Sequence, residues 1–418
     1  MRNALLAAVV LVLAAACNPG KPAAPAATQA KPEAAKPEAT PVAPTEVVLW
    51  HSYRESEKAA MDQLVEKFNS ERKDIRIRVL NVPYDAFIDK VSIATPRGQG
   101  PDIFVFAHNM IGEWVDHTKI LEPLSDRVAP DVLKRFIPAT VRALVYKQSL
   151  YGLPLAFKSL ALFYNPDLVK TPPETSDQFV EAAKAATGQG RYGLAYEAGL
   201  LYYLAPFIHG FGGTILDDHG QPHVSEKPVA DALAFVKGLV KAGVVPSGVN
   251  SAMVTSLFND GKVAMVINGP WFLGEIAPGR AFKVAQLPKM PGGTPAKPFL
   301  GSEAVYLSSF SKNKDAAVKV MDWLTTDDAA VVRLKVGHQT VANQAVYARD
   351  DVKSDPVVST FRAQAEDTVL MPSRPEMQVV WSTMDMAINK SAFGDADLSK
   401  ALADAQAKIL ADIAKMAK

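Results

Sequence analysis

The sequence predicts an α/β protein built on a parallel sheet, and two observations carry the prediction. From residue 47 onward, short apolar or alternating runs trade places with longer segments whose apolar residues recur at helical spacing. No short-period repeat, zinc-ligand spacing or coiled-coil seam interrupts that alternation. Strand, helix, strand, helix, strand is the order that crossover connections impose on a parallel sheet.

The folded part begins at Glu46. Val47-Val48-Leu49-Trp50 is a continuous apolar run, as a buried strand requires. From Lys58 to Phe68, residues Met61, Leu64, Val65 and Phe68 fall on one face of a helix. Ile75-Arg76-Ile77-Arg78-Val79 alternates with the period of a strand. A helical segment spans Tyr84 to Ile93, and the loop Gly98-Gln99-Gly100-Pro101-Asp102 leads into a strand from Ile103 to Phe106. Further along, Val229 to Ala242 is amphipathic and stops at Gly243, where glycine tolerates a left-handed helix end. Val263 to Ile267 is a strand, Asp315 to Leu324 a helix, and Leu398 to Met416 a long terminal helix. A parallel sheet offers ligands the carboxyl ends of its strands. The loops after Trp50 (His51, Ser52, Tyr53, Arg54) and after Phe106 (Ala107, His108, Asn109, Met110) are therefore candidate site loops.

Composition narrows the partners. The 418 residues carry 45 Lys+Arg against 44 Asp+Glu, a formal charge of +1. A chain so balanced lacks the overall basic character that displaces counterions from nucleic acid, so no nucleic-acid partner is expected and neutral ligands stay open. A length in this range suggests two or three units.

The N-terminus points to export. Met1-Arg2-Asn3 supplies a positive start, and Ala4 to Ala16 is apolar but shorter than the ~20 residues that cross a bilayer as a helix. Leu13-Ala14-Ala15-Ala16-Cys17 resembles a lipoprotein signal, in which the cysteine is acylated and becomes the mature N-terminus, although Ala14 stands where leucine is usual. The other reading is an ordinary signal cut after small residues, with Cys17 incidental. Residues 1–17 are assigned as signal and residues 18–45 as a tether. The repeated Lys-Pro and Ala-Pro content of that stretch offers almost nothing to bury against the entropy of ordering.

Three stretches carry a family resemblance. The first is Gly100-Pro101-Asp102-Ile103-Phe104-Val105-Phe106-Ala107-His108. The second runs from Gly152-Leu153-Pro154 through Leu160-Ala161-Leu162-Phe163-Tyr164-Asn165-Pro166-Asp167-Leu168 to Pro172-Pro173-Glu174-Thr175. The third is Phe258-Asn259-Asp260-Gly261-Lys262-Val263-Ala264-Met265-Val266-Ile267-Asn268-Gly269-Pro270-Trp271. In their order and spacing they resemble the extracellular solute-binding proteins of carbohydrate ABC importers, most of all the maltose/maltodextrin-binding type. The resemblance implies a two-lobed periplasmic-binding-protein fold with discontinuous lobes and a hinge cleft. Pro154-Leu155-Ala156, Phe299-Leu300-Gly301 and a stretch near Gly337 to Asn343 would be the crossings. One lobe would hold residues 46–155 and 302–337, the other residues 156–301 and 338–418. It also implies a monomeric, extracytoplasmic receptor without a cofactor, anchored to a bacterial membrane through Cys17, which hands a carbohydrate to the permease subunits of the importer.

Sugars are gripped by aromatic rings against their C–H faces and by planar polar groups at their hydroxyls. Trp271, on a Gly-Pro turn after a strand, and Trp381 match positions whose tryptophans stack on sugar in the family; core packing is the competing role. Trp50, Trp114 and Trp323 are assigned to packing. Phe106 falls at a stacking tryptophan of the family and Tyr202 at a stacking tyrosine, with Tyr203 able to exchange roles with it. Met371 matches a site-lining methionine. The polar positions depart from the pattern: Asn109 and Met110 replace an Asp-Arg pair, Lys158 a glutamate, Leu200 another glutamate, and Asp385 an arginine. Lys158 either donates to sugar hydroxyls, faces an anionic sugar or phosphate, or pairs internally with a neighbour such as Asp385. Arg54 adds positive charge, while Tyr84 and Glu303 are further candidates near a strand end and a hinge.

Enzymatic readings find less support. His219 and His223 flank a Gly-Pro-containing turn and do not share a helical face, so the spacing of a zinc protease fails. His209-Gly210-Phe211-Gly212-Gly213 lacks the Lys-Ser/Thr of a phosphate loop, and no GxSxG elbow is present. A carboxylate pair of the glycosidase kind has no motif behind it.

Overall fold

The computed structural model describes Gly20 and residues 43–416. The signal with Cys17, and all of the tether up to residue 42 except Gly20, lie outside the described residues. Among the described residues no helix is long and apolar enough to cross a membrane.

Strand β1 (Thr45–His51) is followed by α1 (Glu55–Glu71), β2 (Ile75–Asn81), α2 (Tyr84–Ala94) and β3 (Ile103–Ala107). β1 pairs in parallel with β2 on one edge and with β3 on the other, as crossover helices require. The chain then reaches β4 (Gly152–Lys158) and β5 (Ala161–Tyr164), and continues through α3 (Ser176–Ala186), β6 (Tyr192–Ala195), α4 (Leu201–Gly210), α5 (Lys227–Lys241), α6 (Ser251–Asn259) and β7 (Val263–Asn268). After β8 (Lys283–Ala285) comes β9 (Phe299–Leu307), then α7 (Lys314–Leu324), α8 (Asp327–Lys335), α9 (Pro356–Gln364), β10 (Val369–Leu370), α10 (Glu376–Ile388) and α11 (Leu398–Met416).

The sheets are mixed rather than parallel, which corrects the expectation. In the first sheet β9 returns from far along the chain and pairs antiparallel with β3, Glu303 opposite Ala107 and Leu307 opposite Ile103. Its other edge pairs antiparallel with β4, with a register shift between Glu303 and Ala304. The second sheet has the order β8-β5-β7-β6, of which only β6 and β7 run parallel. Local periodicity specifies a strand but not the direction of a partner recruited from afar, so the error is one of pairing and not of element type.

Two large cores follow. One gathers Val47, Leu49, Phe68, Phe104, Trp114, Leu153, Leu155, Val305 and Met321; the other gathers Leu160, Leu162, Phe207, Met265, Phe299, Met384 and Ile409. β9 begins in the second core at Phe299 and ends in the first at Val305 to Leu307. β4 begins in the first, and Leu160 just past its end lies in the second. A third stretch runs beside them: the Phe157 N–H donates to the Thr340 carbonyl at 2.8 Å, and the Ala342 N–H to the Leu155 carbonyl at 3.0 Å. In β5 the alternation of the pleat is visible residue by residue. Leu162 and Tyr164 enter the large core, while Ala161 and Phe163 face a smaller one with Phe258, Phe272 and Phe361.

Candidate ligand cleft

The residues singled out in the sequence gather at the seam between the two large cores, in three groups. The first is aromatic. Tyr202, in the first turn of α4, is half-buried with its ring centroid 6.5 Å from Trp271 and stacked at 6.4 Å on Phe299. Trp381, on α10, meets Phe299 edge-on at 5.7 Å, and its buried Nε1 has no hydrogen-bond partner. His209 also stands edge-on to Phe299 at 5.0 Å and is held by the Lys297 carbonyl at 2.7 Å. Burial lowers its pKa to about 4. Trp271 sits on the single 3₁₀ turn Pro270–Glu275 that ends β7; a Cβ at Gly269 would fall 2.1 Å from its indole ring, so only glycine lets the ring fold back there. Tyr203, by contrast, is buried with its hydroxyl toward Asn268 Oδ1 at 3.5 Å, which leaves Tyr202 as the ring beside Trp271.

The second group is charged. Lys158, the last residue of β4, donates to Glu57 Oε1 at 2.5 Å and lies 3.7 Å from Glu303 Oε2. The Tyr53 hydroxyl donates to Glu303 Oε1 at 2.6 Å, and Gln339 Nε2 reaches Glu57 at 3.1 Å and Glu303 at 3.4 Å. Burial alone would depress the Lys158 ammonium, but Glu303 and Glu57 outweigh it and raise its pKa. Burial raises the Glu303 carboxyl, against the pull of Lys158. The expected partner Asp385 is elsewhere: its carboxylate accepts the Leu201 N–H at 2.7 Å and serves the N-terminus of α4, where a negative charge complements the helix dipole. The correction has a plain cause, since Glu57 lies 101 residues from Lys158 and no local pattern joins them.

The third group lies mainly on the first core, with Met371 joining it from the second. Phe106 is 3% exposed, with Phe87 stacked on it at 5.0 Å and Tyr84 at 5.4 Å. Its ring is thus packed, and the surface left open is that of Tyr84, 55% exposed. Met371 is buried; its carbonyl accepts from His108 Nε2 at 2.8 Å, while His108 Nδ1 accepts the Ser302 N–H at 3.0 Å. Burial holds His108 neutral, with its pKa lowered to about 4. Asn109 is half-buried, and its carbonyl accepts from Gln378 at 3.1 Å. Arg54 is exposed, 3.7 Å from Glu275.

Glu57 and Gln339 escaped the sequence reading, Tyr53 stands in one of its candidate site loops, and Phe299 was read only as part of a crossing. Phe299 carried a usable signal, an aromatic residue at the start of a proposed crossing; a glutamate in a helix's first turn carries none. Trp50 and Trp114 are buried, and Trp323 packs edge-on to Phe68 at 5.1 Å. Among the described residues no three His, Cys, Asp or Glu side chains converge as metal ligands. His223 instead bonds Glu226 at 2.7 Å and Asp217 at 3.2 Å in its turn.

Comparison with known proteins gives the seam a context. The profile described as bacterial extracellular solute-binding protein matches residues 52–331. A maltotriose-binding protein of Pyrococcus abyssi is 29% identical over 353 residues, 82% of this chain and 77% of that protein. A galactooligosaccharide-binding protein of Bacillus subtilis is 26% identical over 372 residues, 86% of this chain and 87% of its own length. The solved structure of a Thermus thermophilus maltotriose-binding protein with maltotriose superposes with a TM-score of 0.80 at 29% identity, covering 88% of this chain and 100% of that one.

Proposed function

Since the chain belongs to the family of bacterial extracellular solute-binding proteins, we propose that it binds a maltodextrin or related oligosaccharide and delivers it to the permease of an ABC importer. The observation that carries the reading is the aromatic group at the seam, in which the half-buried rings of Tyr202, Trp271 and Trp381 surround Phe299 and the Trp381 indole N–H lacks a partner. Ring faces and a free donor are what a sugar uses. Tyr84 offers a further ring. The reading takes residues 46–155 and 302–337 as one lobe and residues 156–301 and 338–418 as the other, with β4, β9 and the stretch near residue 340 as hinge. Ligand would favour the closed arrangement by its differential affinity for it. An anchor at Cys17 would hold this monomeric receptor near the membrane.

The Lys158 charge is met by Glu57 and Glu303, so a neutral sugar suits the cleft better than an anionic one. The chemistry is binding only, and no catalytic role is assigned. A thermal-shift screen tests this directly, because a ligand that binds only the native state raises the melting temperature by mass action. Maltose through maltoheptaose should raise it, and Trp271→Ala should abolish the rise. A shift with uronic acids or glycerol phosphate alone would replace the neutral-sugar reading.

A further inference from the structure

A second hollow lies at the edge of the second sheet. β6 is the edge strand there, and the loop from Tyr196 to Leu200 that joins it to α4 borders a cavity of about 280 Å³. Its lining includes Tyr196, Glu197, Leu200, Asn250, Asn389 and Phe393, and none of Tyr202, Trp271, Phe299 or Trp381. Buried Tyr203 stands between the two places, its ring centroid 6.2 Å from Tyr196 and 5.6 Å from Tyr202. The cavity carries unused hydrogen-bonding groups. Tyr196 is 1% exposed, yet its hydroxyl has no partner, and an orphaned buried hydroxyl is costly unless something meets it. Asn250 spends its Oδ1 on the Met253 N–H at 3.0 Å, which leaves its amide hydrogens. Asn389 does the reverse: its Nδ2 donates to the Gly199 carbonyl at 2.9 Å and to the Asp385 carbonyl at 2.7 Å, which leaves its oxygen. A Cβ at Gly199 would fall 2.6 Å from that oxygen, so the amide lies over the loop only because residue 199 has no side chain. Burial raises the Glu197 carboxyl, against the pull of the Tyr203 hydroxyl and the Ser251 N–H. Among the described residues no lysine, arginine or histidine lines the cavity.

We propose that this cavity is a second ligand site, separate from the seam, that takes one neutral monosaccharide. Pockets for larger organic ligands run from about 300 to 1,000 Å³, so this one holds a single ring and not a chain. The hydroxyls of a sugar both donate and accept, which answers the Tyr196 hydroxyl, the Asn250 amide hydrogens, the Asn389 oxygen and the Glu197 carboxylate together. The half-buried Phe393 ring and Leu200 give the apolar wall that the C–H face of a sugar needs. An anionic ligand would meet Glu197 with no cation to offset the repulsion. The site shares no lining residue with the aromatic group, so it stands whether or not the oligosaccharide reading of the seam holds.

Saturation-transfer NMR of the full chain with glucose, galactose, glucuronate and glycerol phosphate tests the site, with and without excess maltotriose. Glucose or galactose should bind with a Kd on the order of a millimolar, as a ligand of about a dozen heavy atoms allows. Tyr196→Phe should weaken that binding about fivefold, the loss of one hydrogen bond. Because the hydroxyl bonds nothing in the protein, the variant should keep its melting temperature. Gly199→Ala should weaken binding as well, by pushing the Asn389 amide aside. Neither Trp271→Ala nor excess maltotriose should affect the monosaccharide. Binding that is lost in Trp271→Ala, or displaced by maltotriose, belongs to the seam and overturns the second site. Binding untouched by both Tyr196→Phe and Gly199→Ala, tighter binding of the two anions, or no binding of either sugar overturns it too. Failure of the maltodextrins alone removes the reading of the seam and leaves this site standing.

Discussion

On one side of the seam Tyr53, Glu57, Lys158, Glu303 and Gln339 are hydrogen-bonded or ion-paired to one another. On the other, the half-buried rings of Tyr202, Trp271 and Trp381 gather around buried Phe299, and the Trp381 indole N–H has no partner. The charged side is tied together by hydrogen bonds and ion pairs, and the aromatic side by ring contacts. A buried ion pair contributes little net stability but is costly to break, so the first arrangement rigidifies the place where β4, β9 and the stretch near residue 340 run together. The second costs less to leave open, because a ring loses only dispersion contacts when its ligand departs. In the proposed reading, the charged half of the seam fixes geometry and the aromatic half carries affinity.

The sharpest way to break that division is Lys158→Met. It would leave the Glu57 and Glu303 carboxylates facing each other without their cation, and stability should fall by about 3 kcal/mol in urea unfolding. A loss below about 1 kcal/mol would mean that water screens the cluster and that the two sides are not different in kind. Acid should cost a similar amount at each of two buried histidines, His108 beside Met371 and His209 beside Phe299. His108 and His209 each have a folded pKa of about 4, below the ordinary 6.5 of an unfolded histidine. Between those values the unfolded chain binds more protons, so stability falls as pH drops from 6.5 to 4, by about 3 kcal/mol for each histidine. Urea titrations at pH 7 and pH 4 check the fall, and His209→Gln should remove its share.

A finer probe is Trp381→Phe. Because Nε1 has no partner in the protein, the free protein should keep its stability, while sugar affinity falls by about 1 kcal/mol, roughly fivefold. An equal loss in the free protein would assign the indole to packing and erase the contrast. Smallest of all, Arg54→Ala should change the melting temperature by the equivalent of less than about 1 kcal/mol, since its partnership with Glu275 is 65% exposed on the arginine side.

The sequence by itself determined the α/β class and nearly every element it named. The strand from Ile75, the helix from Tyr84 and the long helix from Leu398 appear in the structure within a residue or two, because 2.0 and 3.6 residue periods are local facts. It also determined that Trp271 would stand on a sharp turn, since Gly269-Pro270 can do little else. Only the tertiary structure decided that β9 enters the first sheet antiparallel, that Phe106 is roofed by Tyr84 rather than open to a ligand, and that Lys158 turns to Glu57 instead of Asp385. Each of these joins residues tens to hundreds apart; the Tyr53–Glu303 hydrogen bond spans 250. Such partners are chosen by packing and by the need to satisfy every buried charge at once, and neither condition is written in any single stretch of chain.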